Sequence, residues 1–518
     1  MRALALPAIV AALLFLPLIG TRVLFLSDEA RYALLARNML EHGHWLVPHI
    51  GDEIHMEKPP GYAWAIAAVA LLQGRGITEL AAVLPAALSG IAGVVMTVLL
   101  GRRLFGPPAA RMAGLVLATS FGYLTYARMA LADMTITACA IAALWAFWRG
   151  SMTLFYVFLA VGLSAKGPYA LMPIAVVAVF LVTDGGWRRL RELRLLRGAL
   201  ILGAAVSPWA VAFALQPRHS YVRDVVVGDF GVHFRLWDSA KEILFPLGPL
   251  GLEFLPWTIV LPAALIAGAR APDAQTRARF RFLICWALVY VVPVTLSSHK
   301  RDRYLLPVFA ALALAVGWVI TRWHERSDGA ARRHAWLMAG LAMAAALALY
   351  LPGRPPADAA LYMPAGGAAV PASLVLLASA AALLVLVHRT ETRRAFTAFA
   401  LGLALLLAYA IAQYVPRYNE VHDVKRFAHE LATRVPPRAT IVSFGYARLS
   451  IDLYSRRAPL LMRHVTEIQP LLAGANEVYV FAEPRGWRIL NEARLGRWDR
   501  VAEVHLAGRP VTLARYAR

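Results

Sequence analysis

The sequence is poor in charge, in lysine and in cysteine. Only 16% of its 518 residues are charged, whereas 59% are hydrophobic, and the mean hydropathy is +0.58. Lysine occurs five times, and the two cysteines, Cys139 and Cys285, both lie in apolar segments. Two such cysteines indicate neither a disulfide framework nor a thiolate metal site. So little charge is typical of a chain that crosses a membrane many times.

Acidic residues are also scarce, with 31 Asp and Glu against 53 Lys and Arg, which gives a net charge of +22. In a soluble protein this excess would suggest a nucleic-acid partner. Here many arginines fall in short loops between apolar segments, where they would face anionic lipid. The composition therefore predicts membrane lipids as partners and no nucleic acid.

Apolar stretches recur along most of the chain and predict about thirteen membrane spans. They lie near residues 3–26, 79–101, 109–127, 134–148, 152–166, 168–183, 198–215, 251–269, 282–298, 304–321, 335–351, 370–387 and 395–414. The first is longer than a signal-peptide core and is interpreted as a retained span. The predicted fold class is a mainly α, polytopic membrane protein.

The distribution of arginine predicts the orientation. Residues 62–72 are apolar but too short for an ordinary span, and they follow two prolines. If this segment lies on the membrane surface, runs such as "GRRLFG", "WRRLRELRLLR" and "RARFR" share one side with the N-terminus, which the positive-inside rule makes cytoplasmic. We therefore expect an interfacial helix here. Residues 27–78 and the C-terminal tail are then extracytoplasmic.

The sequence changes character near residue 416. "ATIVSFG" and "EVYVFAE" are typical of strands, "PRGWRILNEARL" is typical of a helix, and the last twenty or so residues suggest two more strands. We predict a transmembrane domain over residues 1–415, which includes the 27–78 loop with its interfacial helices, and a small α/β domain over residues 416–518.

The first predicted outward loop begins with "FLSDEARY". If the segment is helical, Asp28, Arg31, Asn38 and His42 share one face, which could line a cavity. The alternative is an ordinary amphipathic interface helix with an Asp28–Arg31 pair and Ser27 as its N-cap.

Unusual polar residues also fall in the other predicted outward loops. In "HMEKPPGYAW", Glu57 and Lys58 precede two prolines that stiffen the backbone. "ARMALADMTI" places Arg128 and Asp133 at span ends, and "LSAKGPYA" places Lys166 between two spans. A second carboxylate on the same side as Asp28 is what charge chemistry at the interface would need.

Three cations in "SSHKRDRYLLP", Lys300, Arg301 and Arg303, precede Tyr304 on the predicted outer side. They run against the positive-inside bias. A bound anion such as a lipid phosphate would account for them.

"DEARYALLARNML", "HMEKPPGYAW", "ARMALADM", "SAKGP", "GLEFLPW" and "SHKRDRYLLP", in that order, resemble a known family. It is the aminoarabinose transferase (lipid A modifying) family of polyprenyl-phosphate-sugar-dependent glycosyltransferases, within the wider protein-mannosyltransferase-like group with the GT-C fold. The resemblance covers the membrane part of the chain. It implies a GT-C fold, a bacterial inner-membrane location, and an active site and C-terminal α/β domain in the periplasm.

The resemblance also implies residue roles. Asp28 matches the family's essential carboxylate and Asp133 its second acidic position. Lys58 matches a lysine that would hold the donor phosphate. Independently of the resemblance, we predict that Arg31, Lys166, Lys300, Arg301, Arg303 and Tyr304 also bind the substrate or its phosphate. Glu57 lies where some members place a metal ligand. The stretch "GDFGVHFR" departs from the family pattern, and a divalent metal, Zn or Mg, is expected as a cofactor only if His233 takes the place of the family's histidine.

The implied reaction moves a sugar from an undecaprenyl-phosphate-like donor to lipid A or a related envelope acceptor, with inversion. The same chemistry with a protein Ser/Thr or another envelope glycan as acceptor is the alternative. A non-catalytic lipid-binding protein would not need a pair of carboxylates. A lipid transporter or flippase would be expected to show paired halves with matching broken spans, which the sequence does not show.

Overall fold

Apolar helices make up most of the structure, a computed structural model, and a β-sheet unit follows them in the chain. The structure describes residues 2–55, 58–216, 243–297, 300–326, 329–350, 366–445, 449–474, 477–506 and 509–517.

The helical part contains two strands and sixteen α-helices within the described residues. They are α1 (Arg2–Phe15), α2 (Ser27–His42), β1 (His49–Ile50), β2 (Glu53–Ile54), α3 (Gly61–Gln73), α4 (Glu79–Ala118), α5 (Phe121–Ala127), α6 (Ala132–Arg149), α7 (Met152–Lys166), α8 (Met172–Gly185), α9 (Leu195–Ala214), α10 (Leu247–Leu252), α11 (Leu261–Ala269), α12 (Ala274–Leu296), α13 (Leu306–Arg326), α14 (Gly329–Ala348), α15 (Ala369–His388) and α16 (Thr392–Val421). Short 3-10 turns include Pro168–Leu171 before α8 and Asp302–Leu305 before α13.

Among the described residues, seven helical segments are long and apolar enough to cross a membrane, and an eighth span is possible if α5 and α6, bent by 117° at their junction, count as one. The segment α4 contains the predicted span at 79–101 and the first part of the predicted span at 109–127, and Gly106, with a φ of 84°, kinks the helix between them. The rest of the second span lies in α5. The chain is therefore a multi-span membrane protein. The count of thirteen spans stays a prediction.

One predicted segment is shorter in the structure than expected, and another has the expected length. The predicted span at residues 3–26 is helical only to Phe15. Pro17, which cannot donate a backbone hydrogen bond, lies two residues further on. Helix α3 has 13 residues, about 20 Å of helix against a hydrocarbon core of about 30 Å. Its length agrees with the predicted interfacial helix.

The C-terminal unit is a five-stranded sheet flanked by helices. Its elements are α17 (Val424–Arg434), β3 (Thr440–Phe444), α18 (Leu449–Ser455), β4 (Leu460–Met462), α19 (Val465–Gly474), β5 (Val478–Ala482), α20 (Pro484–Glu492), β6 (Arg497–Leu506) and β7 (Arg509–Ala517). The strand order is β4-β3-β5-β7-β6; β3 pairs in parallel with β4 and β5, and β7 pairs antiparallel with β5 and β6.

Successive side chains of β5 point to opposite faces of the sheet, and both faces pack against helices. Tyr479 and Phe481 point to one face, where they join a core with residues of α17, whereas Val478 and Val480 point to the other, against α19 and α20. Helix α16 runs to Val421, past the predicted division at residue 416. That domain boundary stays a prediction.

The sheet unit packs directly on the segment that precedes α2. Val23 and Phe25 belong to the same hydrophobic core as the α17-facing side of the sheet. The hydroxyl of Tyr454, in α18, accepts a hydrogen bond from the backbone N–H of Leu24 at 2.9 Å. The unit is thus anchored next to the helix that carries Asp28.

Candidate functional site

Five charged side chains from four different parts of the chain form one network. Arg303 donates from Nη2 to Oδ2 of Asp28 at 2.7 Å, and its Nε lies 3.7 Å from Oδ1 of Asp133. Lys166 pairs with Asp133, and Arg31 donates to the other oxygen of Asp28 at 2.7 Å. Both predicted carboxylates are therefore joined through one arginine.

Burial differs between the two carboxylates. The side chain of Asp133 is 3% exposed, whereas that of Asp28 is 29% exposed. Asp133 is therefore enclosed by its cations, whereas Asp28 keeps a face that a bound molecule could contact.

The network carries a net positive charge. Arg31, Lys166 and Arg303 contribute three positive charges around two carboxylates. Arg301 lies close enough to Asp28 to act on it electrostatically, and Lys58 lies within the same range of Lys166. An excess of positive charge at a partly enclosed position is suited to an anion such as a phosphate.

Burial and nearby cations act in opposite directions on the pKa of Asp28. Burial raises it, but the attraction of Arg303, Arg31 and Arg301 and the hydrogen bond from Arg303 outweigh that effect. The net pKa is below the usual value of an aspartate. Asp28 is therefore ionised at neutral pH and is a weak base.

Close backbone contact brings the Lys58 loop to the end of α7. A Cβ on Gly61 would lie 2.5 Å from the carbonyl oxygen of Ser164, so only glycine allows α3 to begin there. Gly167 has a φ of 90°, and a Cβ on it would touch the ring of Pro59. Lys58 and Lys166 are thus held near one another by two glycines and the stiff Pro59-Pro60 pair.

The ring of Tyr304 contacts Lys166, and Tyr169 in turn holds the backbone of Tyr304. Its Nζ lies 4.8 Å from the ring centre of Tyr304, a cation–π contact. The Tyr169 hydroxyl donates to the backbone carbonyl of Tyr304. Tyr304 therefore orders the cation as well as the turn that carries Arg303.

Lys300 is bound within its own loop, where its Nζ donates to the carbonyl of Ser297 at 2.8 Å. The structure brings together the other predicted residues Asp28, Arg31, Lys58, Asp133, Lys166, Arg301, Arg303 and Tyr304. The predicted metal ligands Glu57 and His233 lie outside the described residues. Within the described ranges, no group of three or more His, Cys, Asp or Glu side chains could hold a metal ion, and a metal stays a prediction.

The structure changes the interpretation of two residues near the network. Helix α2 has Leu26 in the N-cap position, and no side chain caps it. In the alternative interpretation of this helix, the cap by Ser27 is therefore wrong, whereas the Asp28–Arg31 pair is present. Arg128, considered from sequence as a boundary residue, donates to the carbonyls of Leu14 and Pro17 at 2.8 and 2.7 Å. It thereby binds carbonyl groups at and beyond the end of α1.

Sequence reasoning missed a buried ion pair beside the network. Glu29 has no exposed surface, and both of its oxygens bind Arg22, with Nη1 of Arg22 at 3.1 Å from one of them. Glu29 also accepts from the backbone N–H of Ala130 at 3.0 Å. Because Ala130 lies in the bend before α6, this pair fixes α2 relative to the helix that carries Asp133.

An apolar groove of about 520 Å³ opens next to the charged network. It runs between α3, α6, α7 and α9 and is lined by residues such as Tyr62, Trp64, Val157 and Val161. Its wall includes Ser164 and Ala165, the residues directly before Lys166. An apolar groove that ends at a cluster of cations fits an amphiphile with an anionic head and a hydrocarbon tail.

These features define a class of multi-span membrane protein with a charged site beside an apolar groove, and comparisons with known proteins refine it. Residues 57–211 match the family described as dolichyl-phosphate-mannose-protein mannosyltransferase. Two curated relatives are undecaprenyl phosphate-alpha-4-amino-4-deoxy-L-arabinose arabinosyl transferases. That of Pseudomonas aeruginosa (strain LESB58) is 30% identical over 66% of this chain and 64% of the relative, and that of Pseudomonas fluorescens (strain Pf0-1) is 28% identical over 63% and 59%.

Solved structures show the same fold. ArnT from Cupriavidus metallidurans bound to undecaprenyl phosphate matches with a TM-score of 0.82 at 21% identity, over 98% of this chain and 97% of ArnT. The oligosaccharyltransferase of Archaeoglobus fulgidus matches with a TM-score of 0.57 at 12% identity, over 93% and 69%. The GT-C fold predicted from the resemblance is confirmed.

The chain is thus similar in sequence to aminoarabinose transferases over 66% of its length, and residues 57–211 are similar to the protein-mannosyltransferase family, as the sequence motifs indicated. In sequence, it spans 59–64% of the length of the two curated relatives above.

Proposed function

We propose that the protein is an enzyme that transfers a sugar, 4-amino-4-deoxy-L-arabinose or a close analogue, from a polyprenyl-phosphate donor to lipid A or a related envelope acceptor. The observation that carries the proposal is the bridge that Arg303 makes between Asp28 and Asp133, with Lys166 on the second carboxylate. The curated relatives named above support the choice of donor and sugar.

The donor would bind across the groove and the network. Its hydrocarbon chain fits the apolar groove between α3 and α7, and its phosphate fits the cations at the end of that groove, Lys58 and Lys166 with Arg301 and Arg303. The bond between an acceptor oxygen and the anomeric carbon forms as the bond from that carbon to the phosphate oxygen breaks. The polyprenyl phosphate leaves with the electron pair, and the cations stabilise its charge.

The electrostatics of Asp28 favour an acceptor that needs no base. A general base works best when its pKa lies near the working pH, whereas the pKa of Asp28 is lowered by Arg303, Arg31 and Arg301, which outweigh its burial. A hydroxyl acceptor would require a stronger base. A phosphate of lipid A is already ionised, so Asp28 would position the substrates through Arg31 and Arg303.

The proposed orientation places this site outside the cytoplasm, in the periplasm of a bacterial inner membrane. It is supported by the arginines at the far ends of several helices. Arg102, Arg103 and Arg149 line one depression, and Arg189 and Arg281 share Asp184. By the positive-inside rule, that end is cytoplasmic. Alkaline phosphatase fused after residue 518 should be active, and an inactive fusion beside a fluorescent GFP fusion would reverse the orientation.

Asp28→Asn tests the proposed catalytic role. We expect transfer from a radiolabelled polyprenyl-phosphate aminoarabinose donor to lipid A to fall by about a hundredfold or more, with unchanged insertion and thermal stability. Glu41→Gln on the same helix, where Glu41 is 44% exposed, serves as the matched control. Near-normal transfer by Asp28→Asn would refute the assignment.

Mass spectrometry tests the acceptor. Lipid A from cells with the protein should carry the added sugar, and lipid A from cells without it should not. Unchanged lipid A together with a sugar lost from a protein Ser/Thr or from another envelope glycan would replace lipid A as the acceptor. The match of residues 57–211 to the protein-mannosyltransferase family makes this second acceptor class worth measuring in the same cells.

A further inference from the structure

Glu253 is a carboxylate at the edge of the network. It lies in "GLEFLPW", one of the stretches that carry the family resemblance, but it has no role in the mechanism above. It follows α10 and lies outside the candidate spanning helices. Its Oε2 is buried and has no hydrogen-bond partner among the described residues. No other carboxylate oxygen in the described part of the chain is buried without a hydrogen-bond partner. A buried oxygen of this kind is costly unless a ligand supplies the missing donor.

The side chain of Glu253 is held in place by the start of α5. The backbone N–H of Gly122 donates to the carbonyl of Glu253 at 3.0 Å. A Cβ on Gly122 would lie 2.3 Å from Oε2 and 2.8 Å from the Cβ of Glu253. The absence of a side chain at position 122 therefore makes the space that the carboxylate occupies.

Glu253 also lies close to the reaction site. Tyr126 is within electrostatic range of Glu253 and Asp302 and also of Arg303 and Asp133. Asp302 directly precedes Arg303, the residue that bridges Asp28 and Asp133. A sugar whose anomeric carbon lies at the network could thus present another ring substituent to Glu253.

The carboxylates of the network are poorly suited to bind a cation. Asp28 is already neutralised by Arg31 and Arg303, and Asp133 by Lys166 and Arg303. Glu253, by contrast, faces a second acid, Asp302, and a phenol, Tyr126. A positive charge at Glu253 would relieve both the burial of its carboxylate and its repulsion from Asp302.

We infer that Glu253 binds the positively charged amino group of the donor sugar and thereby makes the enzyme specific for an amino sugar. This inference rests on the proposed function and names the residue that recognises the substrate's amine. A carboxylate–ammonium hydrogen bond in a partly buried position discriminates strongly against a neutral substituent, because the analogue leaves the carboxylate without its counter-charge.

Burial, together with the charge of Asp302, raises the pKa of Glu253 to about 7. The carboxyl group is therefore protonated below that pH, and an ammonium group would meet a neutral acid. We expect kcat/KM for the amino donor to fall as the pH drops below about 7, because kcat/KM reports the free enzyme. The acid limb should flatten in Glu253→Gln.

The deciding experiment compares two donors. Wild type and Glu253→Gln are assayed in detergent with polyprenyl-phosphate aminoarabinose and with the analogue that has a hydroxyl in place of the amino group. We expect Glu253→Gln to lower kcat/KM for the amino donor by about tenfold to a hundredfold and not to lower transfer from the hydroxyl analogue, which in this variant no longer meets a carboxylate without its counter-charge. Gly122→Ala, which would displace the carboxylate, should give the same selective loss. Glu325→Gln, a change at a 60% exposed carboxylate, is the control and should affect neither donor.

The possible failures are distinguishable. If a Glu253→Gln protein of wild-type thermal stability lost transfer equally with both donors, Glu253 would contact a group that both donors share. If it lost transfer with neither donor, Glu253 would contact neither of them. Either result overturns this inference and leaves the proposed function standing. A wild-type protein that transfers from neither donor overturns the proposed function and this inference with it.

Discussion

Charge is used differently in two regions of the molecule, the network around Arg303 and the arginine-rich group around Asp184. In the network, the side chains of Asp133 and Lys166 are 3% and 10% exposed. Around Asp184, the side chains of Arg189 and Arg281 are 34% and 42% exposed. Buried charges cannot exchange partners with water, so their geometry is fixed, whereas exposed pairs are screened and contribute little.

This difference suggests that one region serves chemistry and the other serves placement in the membrane. A fixed set of opposed charges is suited to position an anionic substrate. Exposed arginines are suited to contact anionic lipid and to set the orientation of the chain. Substitutions in the two regions should therefore differ in both the size and the kind of their effect.

The largest effect is expected at the buried pair that supports the network. Glu29→Gln keeps the size of the side chain but leaves Arg22 buried without its counter-charge, which should lower the free energy of unfolding by about 3–5 kcal/mol. Thermal unfolding in detergent would measure it. Glu41→Gln, a change at an exposed position of the same helix, should shift the unfolding temperature little. Equal shifts in the two variants would show that burial does not set the contribution.

The next effect is expected at the bridge itself. Arg303→Ala removes the cation that joins Asp28 to Asp133, and transfer should fall by about a hundredfold or more. The loss of Arg303 should also raise the pKa of Asp28, because that arginine is the main group that lowers it against burial. With a higher pKa, Asp28 would be protonated at a higher pH than in the wild type. As the pH is lowered, the residual transfer of the variant should therefore be lost at a higher pH than wild-type transfer.

The control for this prediction is Arg303→Lys, which keeps the charge but loses the planar two-nitrogen contact. It should retain more transfer than Arg303→Ala. If the two variants were equally inactive and Asp28→Asn were fully active, the bridge would be a structural feature with no role in transfer.

A smaller effect is expected where the sheet unit meets the helix of Asp28. Arg37, in α2, donates to Oδ1 of Asp452 at 2.8 Å, and Asp452 is 6% exposed. A double-mutant cycle with Arg37→Gln and Asp452→Asn should give a coupling energy of about 0.5–3 kcal/mol in thermal unfolding. Additive effects would show that this ion pair does not contribute to the attachment of the sheet unit.

Local patterns in the sequence predicted individual elements well. The helix that carries Asp28 follows from its amphipathic spacing, and Gly43, with a φ of 76°, ends it. Strands β3 and β5 follow from short β-branched and aromatic runs. Such signals are local, since each depends on residues within a few positions of one another.

Pairings between distant residues could not be predicted in the same way. Arg303 and Asp28 are 275 positions apart, and they meet only because α2 and the turn before α13 lie side by side. Some nearby pairings were equally hard to predict. The partner of Glu29 is only seven residues upstream, but it lies in a segment without helical or strand periodicity. The one available signal was the pair of adjacent carboxylates in "SDEARY", which must face different directions on a helix.

The smallest effect is expected in the exposed, arginine-rich group around Asp184. Asp184→Asn removes the carboxylate shared by Arg189 and Arg281, but both arginines are exposed enough for water and lipid headgroups to replace it. We expect the free energy of unfolding to change by no more than about 1 kcal/mol and transfer to stay at the wild-type rate. Transfer in membranes and thermal unfolding in detergent would check both. A loss of transfer comparable to that of Arg303→Ala would mean that the two charged regions are coupled through the helices between them, and that exposure does not separate their roles.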